Sequence, residues 1–119
     1  MNIPNDITKY LTTVNYKKGT NKKNNYIVIH YTAGNGDTAI SNANYFHSTY
    51  RDASANYFVD ENSIVQVVED YDIAWHCGSE TGLYYHKYCR NSCSIGIEMC
   101  SVIKDGKYEM PENTIYNTV

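Results

Sequence analysis

Six consecutive residues, Tyr26-Ile27-Val28-Ile29-His30-Tyr31, constrain the fold more than any other stretch of this chain. They are β-branched or aromatic at nearly every position and apolar on both alternations, and they break into Thr32-Ala33-Gly34. A run apolar on both alternations suits a strand covered on both faces, as in the interior of an α/β sheet. A central strand is therefore expected over 26–31. Such a strand gains nothing from an imidazole at its end unless the imidazole has a partner. A histidine leaving a central strand at its carboxyl end points into the crevice where open α/β sheets bind ligands, which singles out His30.

The remaining chain supplies the other layers. Asp37 or Thr38 can cap a helix running to about Tyr50, with Ala39, Ala43, Phe46 and Tyr50 at helical spacing and His47 beside that stripe as a boundary residue. Residues 54–59 and 64–69 read as two short strands joined by the polar turn Asp60-Glu61-Asn62-Ser63, a hairpin. From about 70 to 93 no period emerges, and long irregular loops inside compact domains are usually functional. In 94–100, Ile95, Ile97 and Met99 face one way while Gly96, Glu98 and Cys100 face the other, which puts Glu98 on the cleft side of a strand. A turn follows at 104–107. Pro111 then opens a helix whose apolar stripe (Ile115, Tyr116, Val119) has barely begun, so more chain is expected to follow. The expected fold class is α/β, a central mixed β-sheet flanked by helices. The chain reads as a single domain, 1–119, with a polar lead-in over 1–25 whose Lys17, Lys18, Lys22 and Lys23 read as solubilising surface.

Composition narrows the partners. A net charge of −3 with 19% charged residues argues against a phosphate-backbone binder, so no nucleic acid is expected. No apolar stretch reaches the ~20 residues that cross a bilayer, and the N-terminus lacks the basic-then-apolar pattern of a signal peptide. The expectation is synthesis in the cytoplasm and no membrane partner. A chain of 119 residues can bury a core without disulfides, so Cys77, Cys89, Cys93 and Cys100 are expected to be reduced. Cys89-x3-Cys93, with His86 upstream, is one residue longer than a tight zinc knuckle and has no matching second pair.

Two residues carry chemistry. If His30 and Glu98 reach one crevice, they fit a metal-assisted hydrolase in which a zinc ion held in part by His30 activates water and a carboxylate outside the ligand set takes the proton. The residues alone leave other readings open. His30 can be a core histidine bonded to a carbonyl, and Glu98 a buried ion pair or an edge-strand charge. Cys77 beside His76 suggests a cysteine hydrolase, although adjacent residues rarely face each other as nucleophile and base.

The segments "IVIHYTAG", "SANYFVDENSIVQVVEDYDIAWHCG" and "NSCSIGIEMC", in this order and at these distances, resemble the zinc-dependent N-acetylmuramoyl-L-alanine amidases, a group that includes phage endolysins, bacterial autolysins and peptidoglycan recognition proteins. The resemblance covers about residues 26–101. It implies that His30 is the first zinc ligand and that Glu98 acts on the zinc-bound water. It places Thr32, Asn56, Trp75 and His76 along the substrate groove, with Asn56 standing where many members carry histidine. The family's other zinc ligands come from a later segment, so zinc is the expected cofactor of the complete domain and the present stretch is expected to hold it poorly and to be inactive alone. The implied substrate is peptidoglycan, cut at the amide between N-acetylmuramic acid and L-alanine in the bacterial cell wall. A peptidoglycan-binding module of the same fold without turnover is the alternative.

Overall fold

The computed structural model describes residues 6–78 and 86–119. In chain order it contains β1 (Thr8–Lys9), β2 (Tyr26–Tyr31), α1 (Ala39–His47), β3 (Tyr57–Val59), β4 (Ile64–Gln66), a single 3₁₀ turn (Asn91–Cys93), β5 (Ser94–Met99), β6 (Val102–Lys104), β7 (Lys107–Glu109) and α2 (Glu112–Thr118). Five strands form one sheet in the order β1-β4-β3-β5-β2. The β3–β4 pair is antiparallel, as the polar turn Asp60–Ser63 predicts. The β1–β4, β3–β5 and β2–β5 pairs are parallel, so the sheet is mixed. Neither described helix is long and apolar enough to cross a membrane.

The core lies on one face of this sheet. Ala39 and Ala43 of α1 are fully buried against Phe58, Val65, Val67, Ala55 and Ala74. Phe46 stacks on Phe58 with ring centroids 5.5 Å apart. Thr38 caps α1, its Oγ1 accepting the Ser41 N–H at 3.2 Å while Ser41 Oγ accepts the Thr38 N–H at 3.1 Å, a reciprocal cap that satisfies two orphan donors. The helix stops at His47 rather than Tyr50 because Asn15, fully buried, reaches its end. Asn15 Nδ2 donates to the carbonyls of Phe46 (2.7 Å) and Thr49 (2.8 Å), and its Oδ1 accepts the Arg51 N–H. His47, half-buried, stacks on Tyr10 at 4.1 Å.

Two further expectations are corrected. The strand over 26–31 forms with the expected bounds, but it is the edge of the sheet and not its centre. Its second apolar face is open, with Ile27 70% and Ile29 54% exposed. The polar lead-in is not merely a solvated loop. It adds the short strand β1, and Lys22 Nζ donates to the carbonyls of Asp72 (2.9 Å), Ser94 (2.9 Å) and Asp70 (3.2 Å), tying the lead-in to the loop that precedes β5.

The β2 exit has its own geometry. Ala33 takes a left-handed backbone (φ 57°), an uncommon conformation for a residue with a Cβ. At Gly34 an added Cβ would come within 2.3 Å of Asp37 Oδ1, so glycine is what allows the loop to close against that carboxylate. Asp37 accepts from Thr32 Oγ1 at 3.1 Å and from Asn42 Nδ2, which fixes it beneath the start of α1.

Candidate active site

The β2–β5 register sets Tyr26 opposite Ser94, Val28 opposite Gly96 and His30 opposite Glu98. Directly paired residues on adjacent strands share a face and sit about 4.8 Å apart along the hydrogen-bonding direction. His30 and Glu98 therefore stand side by side, and they do so on the face that carries Phe58, which is paired with Glu98 on the other side of β5. This is the face that α1 covers.

His76 is the third member of the cluster. Its ring lies over Gly96, where an added Cβ would approach His76 Cγ to 2.5 Å, so the strand glycine makes room for an imidazole. The backbone N–H groups of His76 and Cys77 both donate to Asn91 Oδ1, at 3.0 and 2.8 Å, which holds this loop against the sheet. His76 Nδ1 is 3.0 Å from His30 Nε2, the rings meeting edge to face, and His76 Nε2 is 3.0 Å from Ser94 Oγ. A cavity of about 470 Å³ opens alongside, its wall including Tyr26, Val28, His30, His76, Cys77 and His86. Glu98 is not part of that wall.

Burial sets the protonation states. It pushes the Glu98 carboxyl up to about 7, with the nearby Asp37 charge adding to the effect. Burial also holds His30 below its ordinary value. His76 is pushed down to about 4, mainly by burial and then by the positive charges that His30 and Lys22 carry or can carry. Near neutral pH both imidazoles are neutral and Glu98 is poised between its acid and base forms.

The other groove candidates fall in different places. Thr32 is half-buried, donates to Asp37, and accepts the Gly34 N–H at 3.3 Å and the Ser101 N–H at 3.4 Å, so its hydroxyl braces the β2 exit. Trp75 is half-buried in an edge-to-face pair with Tyr50 at 6.0 Å, and Tyr50 is itself 64% exposed. Asn56 is fully buried: Oδ1 accepts the Gly96 N–H at 2.9 Å, and Nδ2 donates to the Glu69 carbonyl at 3.2 Å. The place expected to face the groove instead clamps β5 to the loop after β4. Asn56→Ala leaves a buried amide N–H and a carbonyl unpaired and is expected to lower unfolding free energy by about 2–4 kcal/mol, read from urea melts.

The cysteine chemistry does not assemble. All four cysteines are free thiols. Burial pushes the Cys77 thiol up to about 11, the opposite of what a nucleophile needs, and both His76 nitrogens face other partners. His86 is exposed, and its Nδ1 accepts the backbone N–H groups of Tyr88 and Cys89.

In the sequence Asp37 reads only as a possible helix cap, and nothing singles out Ser94. The available signals were Gly34 and Gly96, since a glycine inside or just after a strand marks a place where another group comes close. Those groups are Asp37 and His76.

The chain as a whole is similar to known proteins. A probable N-acetylmuramoyl-L-alanine amidase of Bacillus licheniformis is 38% identical over 97 residues, covering 76% of this chain and 27% of that protein. The N-acetylmuramoyl-L-alanine amidase CwlL of the same organism is 36% identical over 87 residues, covering 67% and 24%. The chain thus spans about a quarter of the length of these curated relatives. Among solved structures, a mutant endolysin from Bacillus subtilis superposes with a TM-score of 0.72 at 26% identity, over 95% of this chain and 70% of the other. The catalytic domain of XlyA gives 0.72 at 25%, with the same coverage. These likenesses bear out both the resemblance carried by the three motifs and the α/β fold class. The family profile described as N-acetylmuramoyl-L-alanine amidase matches residues 20–119, and the chain belongs to that family.

Proposed function

We propose that this chain acts on bacterial peptidoglycan as a hydrolase, cutting the amide that joins the lactyl group of N-acetylmuramic acid to the L-alanine of the stem peptide. The observation that carries the reading is the register pairing of Glu98 with His30, which itself lines an open cavity, in a chain of the amidase family. Glu98 is the acid–base group. With its carboxyl held at about 7, it can take a proton from the attacking water and return it to the departing amine near neutral pH. His30 lies beside it as a neutral imidazole, and the exposed Tyr50 with Trp75 offers an aromatic ledge on which a sugar or a peptide can rest.

Zinc is the cofactor that this reading implies, supplying a polarised carbonyl and an activated water. His30 suits it, being a neutral nitrogen donor. Among the described residues, however, no three His, Cys, Asp or Glu side chains stand close enough together to hold an ion, so the described donors alone do not make the site, and no step is derived through the metal.

The test uses purified cell walls with zinc supplied. This chain joined to a segment that carries the family's remaining zinc ligands is expected to release free α-amino groups on L-alanine, detected by N-terminal derivatisation of the soluble products, whereas the described donors alone are not. Wall binding without new alanine amino groups would contradict the hydrolase reading and leave a peptidoglycan-binding module of the same fold.

A further inference from the structure

We propose that His76 and Ser94 are positioning residues that lock His30 in a single tautomer, with its proton on Nε2 and its lone pair on Nδ1. The protons along one chain of contacts fix the tautomer. Ser94, fully buried, has one hydroxyl proton, and Oγ donates it to the Arg90 carbonyl at 2.7 Å. Toward His76 Nε2, 3.0 Å away, Ser94 Oγ can then only accept, so His76 carries its proton on Nε2. A neutral imidazole has one N–H, which leaves His76 Nδ1 as an acceptor. His30 Nε2, at 3.0 Å from that nitrogen, must donate. His30 Nδ1 is left with the lone pair, outside the relay, as the ring atom able to accept a proton or to bind a cation.

Three further features hold the relay in place. Asn91 Oδ1 takes both backbone N–H groups of 76–77, Gly96 leaves the space that the His76 ring fills, and the register of β2 with β5 fixes the distance between the two ends. Cys77 Sγ, 3.8 Å from Ser94 Oγ, can occupy the second lone pair of the hydroxyl without disturbing the order of donors. Histidines with a chemical task commonly have their tautomer set by a bond to the other ring nitrogen. Here the setter is a second histidine, itself set by a serine bound to a main-chain carbonyl.

The consequence for turnover rests on the hydrolase reading, whereas the tautomer itself does not. The test is long-range ¹H–¹⁵N NMR of the full chain at pH 7.5, with zinc-dependent wall hydrolysis measured in parallel. Wild-type His30 is expected to show a protonated Nε2 and an unprotonated Nδ1. Ser94→Ala frees the His76 tautomer, and the His30 signals should then shift toward a mixture while kcat falls about 10–100-fold with little change in KM. Ser94→Thr keeps the hydroxyl and should restore the wild-type pattern. Gly96→Ala displaces the His76 ring by a separate route and should produce the same mixture. A wild-type His30 protonated on Nδ1, or an unchanged pattern in Ser94→Ala, overturns the proposal. The expected tautomer in a protein that carries the full zinc ligand set and still cleaves no amide supports the relay and overturns the hydrolase reading instead.

Discussion

Replacing Glu98 with glutamine is expected to slow amide hydrolysis by about 10²–10⁴-fold, the usual contribution of a positioned acid–base group, while making the fold more stable above neutral pH. The two effects have one cause. The Glu98 carboxyl sits on the covered face of the sheet near Asp37, and burial with that neighbouring charge raises it from 4.5 to about 7. In the unfolded chain the group ionises near 4.5, so between 4.5 and 7 the folded state keeps a proton that the unfolded state has lost. Stability falls as pH rises through that window. A displacement of this size is worth about 3 kcal/mol, all of it lost by pH 8. Glutamine keeps the shape and never ionises, so Glu98→Gln should gain up to about 3 kcal/mol at pH 8 and little at pH 4, measured by urea denaturation with chelator present. In the wild type, kcat/KM for wall hydrolysis should rise through about pH 7 as Glu98 becomes a base, and that limb should vanish in the variant. A variant that loses activity and also loses stability at pH 8 would show that Glu98 is a structural partner rather than a strained functional group.

The rise of stability with pH between about 4.5 and 6.5 should be shallower in the wild type than in Glu98→Gln. His76 is held at about 4 against 6.5 in the unfolded chain. Its stabilising contribution is present above 6.5 and lost as pH falls through 4, about 3 kcal/mol over the window, and His30, also lowered by burial, adds in the same direction. The His76 slope runs opposite to that of Glu98 and cancels it over the shared window, leaving in the wild type the rise that His30 contributes. Removing the carboxylate uncovers the histidine slope, and unfolding free energy should climb by about 3 kcal/mol from pH 4 to 6.5 before levelling. Denaturant melts of both proteins at half-unit pH steps check this. A level profile in the variant would mean that the imidazoles are solvated rather than buried.

Local features of this fold were legible in the chain because they are written in local patterns. The β-branched run at 26–31 and the polar turn at 60–63 form as read, the alternation read over 94–100 forms a strand over 94–99, and of the two cap candidates, Asp37 and Thr38, it is Thr38 that caps α1. The place of 26–31 in the sheet was not legible. Strand order is decided by contacts far apart in sequence, and a run apolar on both alternations reads the same whether its second face is covered or, as with Ile27 and Ile29, open. The early end of α1 depends on Asn15, 31 residues from the Phe46 carbonyl it bonds. At the site, the alternation in 94–100 sets Glu98 apart from Ile95, Ile97 and Met99, and the strand pairing, which the alternation does not reveal, puts it beside His30. The contact of His76 with His30 spans 46 residues through a loop without period, and only Gly96 on the intervening strand hints that a ring packs there. Asn56 shows the reverse case, since nothing in "SANYFV" distinguishes an amide turned to a groove from one spent on the backbone of β5.

The central claim is that His30 and Glu98 act as one unit at one place. A double-mutant cycle on wall hydrolysis, with wild type, His30→Ala, Glu98→Gln and the pair measured under saturating zinc, tests it most directly. If the claim holds, each single variant removes most of the rate and the double variant is no slower than the worse single one, as happens for residues that share a step. Losses that multiply across the pair would mean that the two side chains serve separate ends, and would contradict the account.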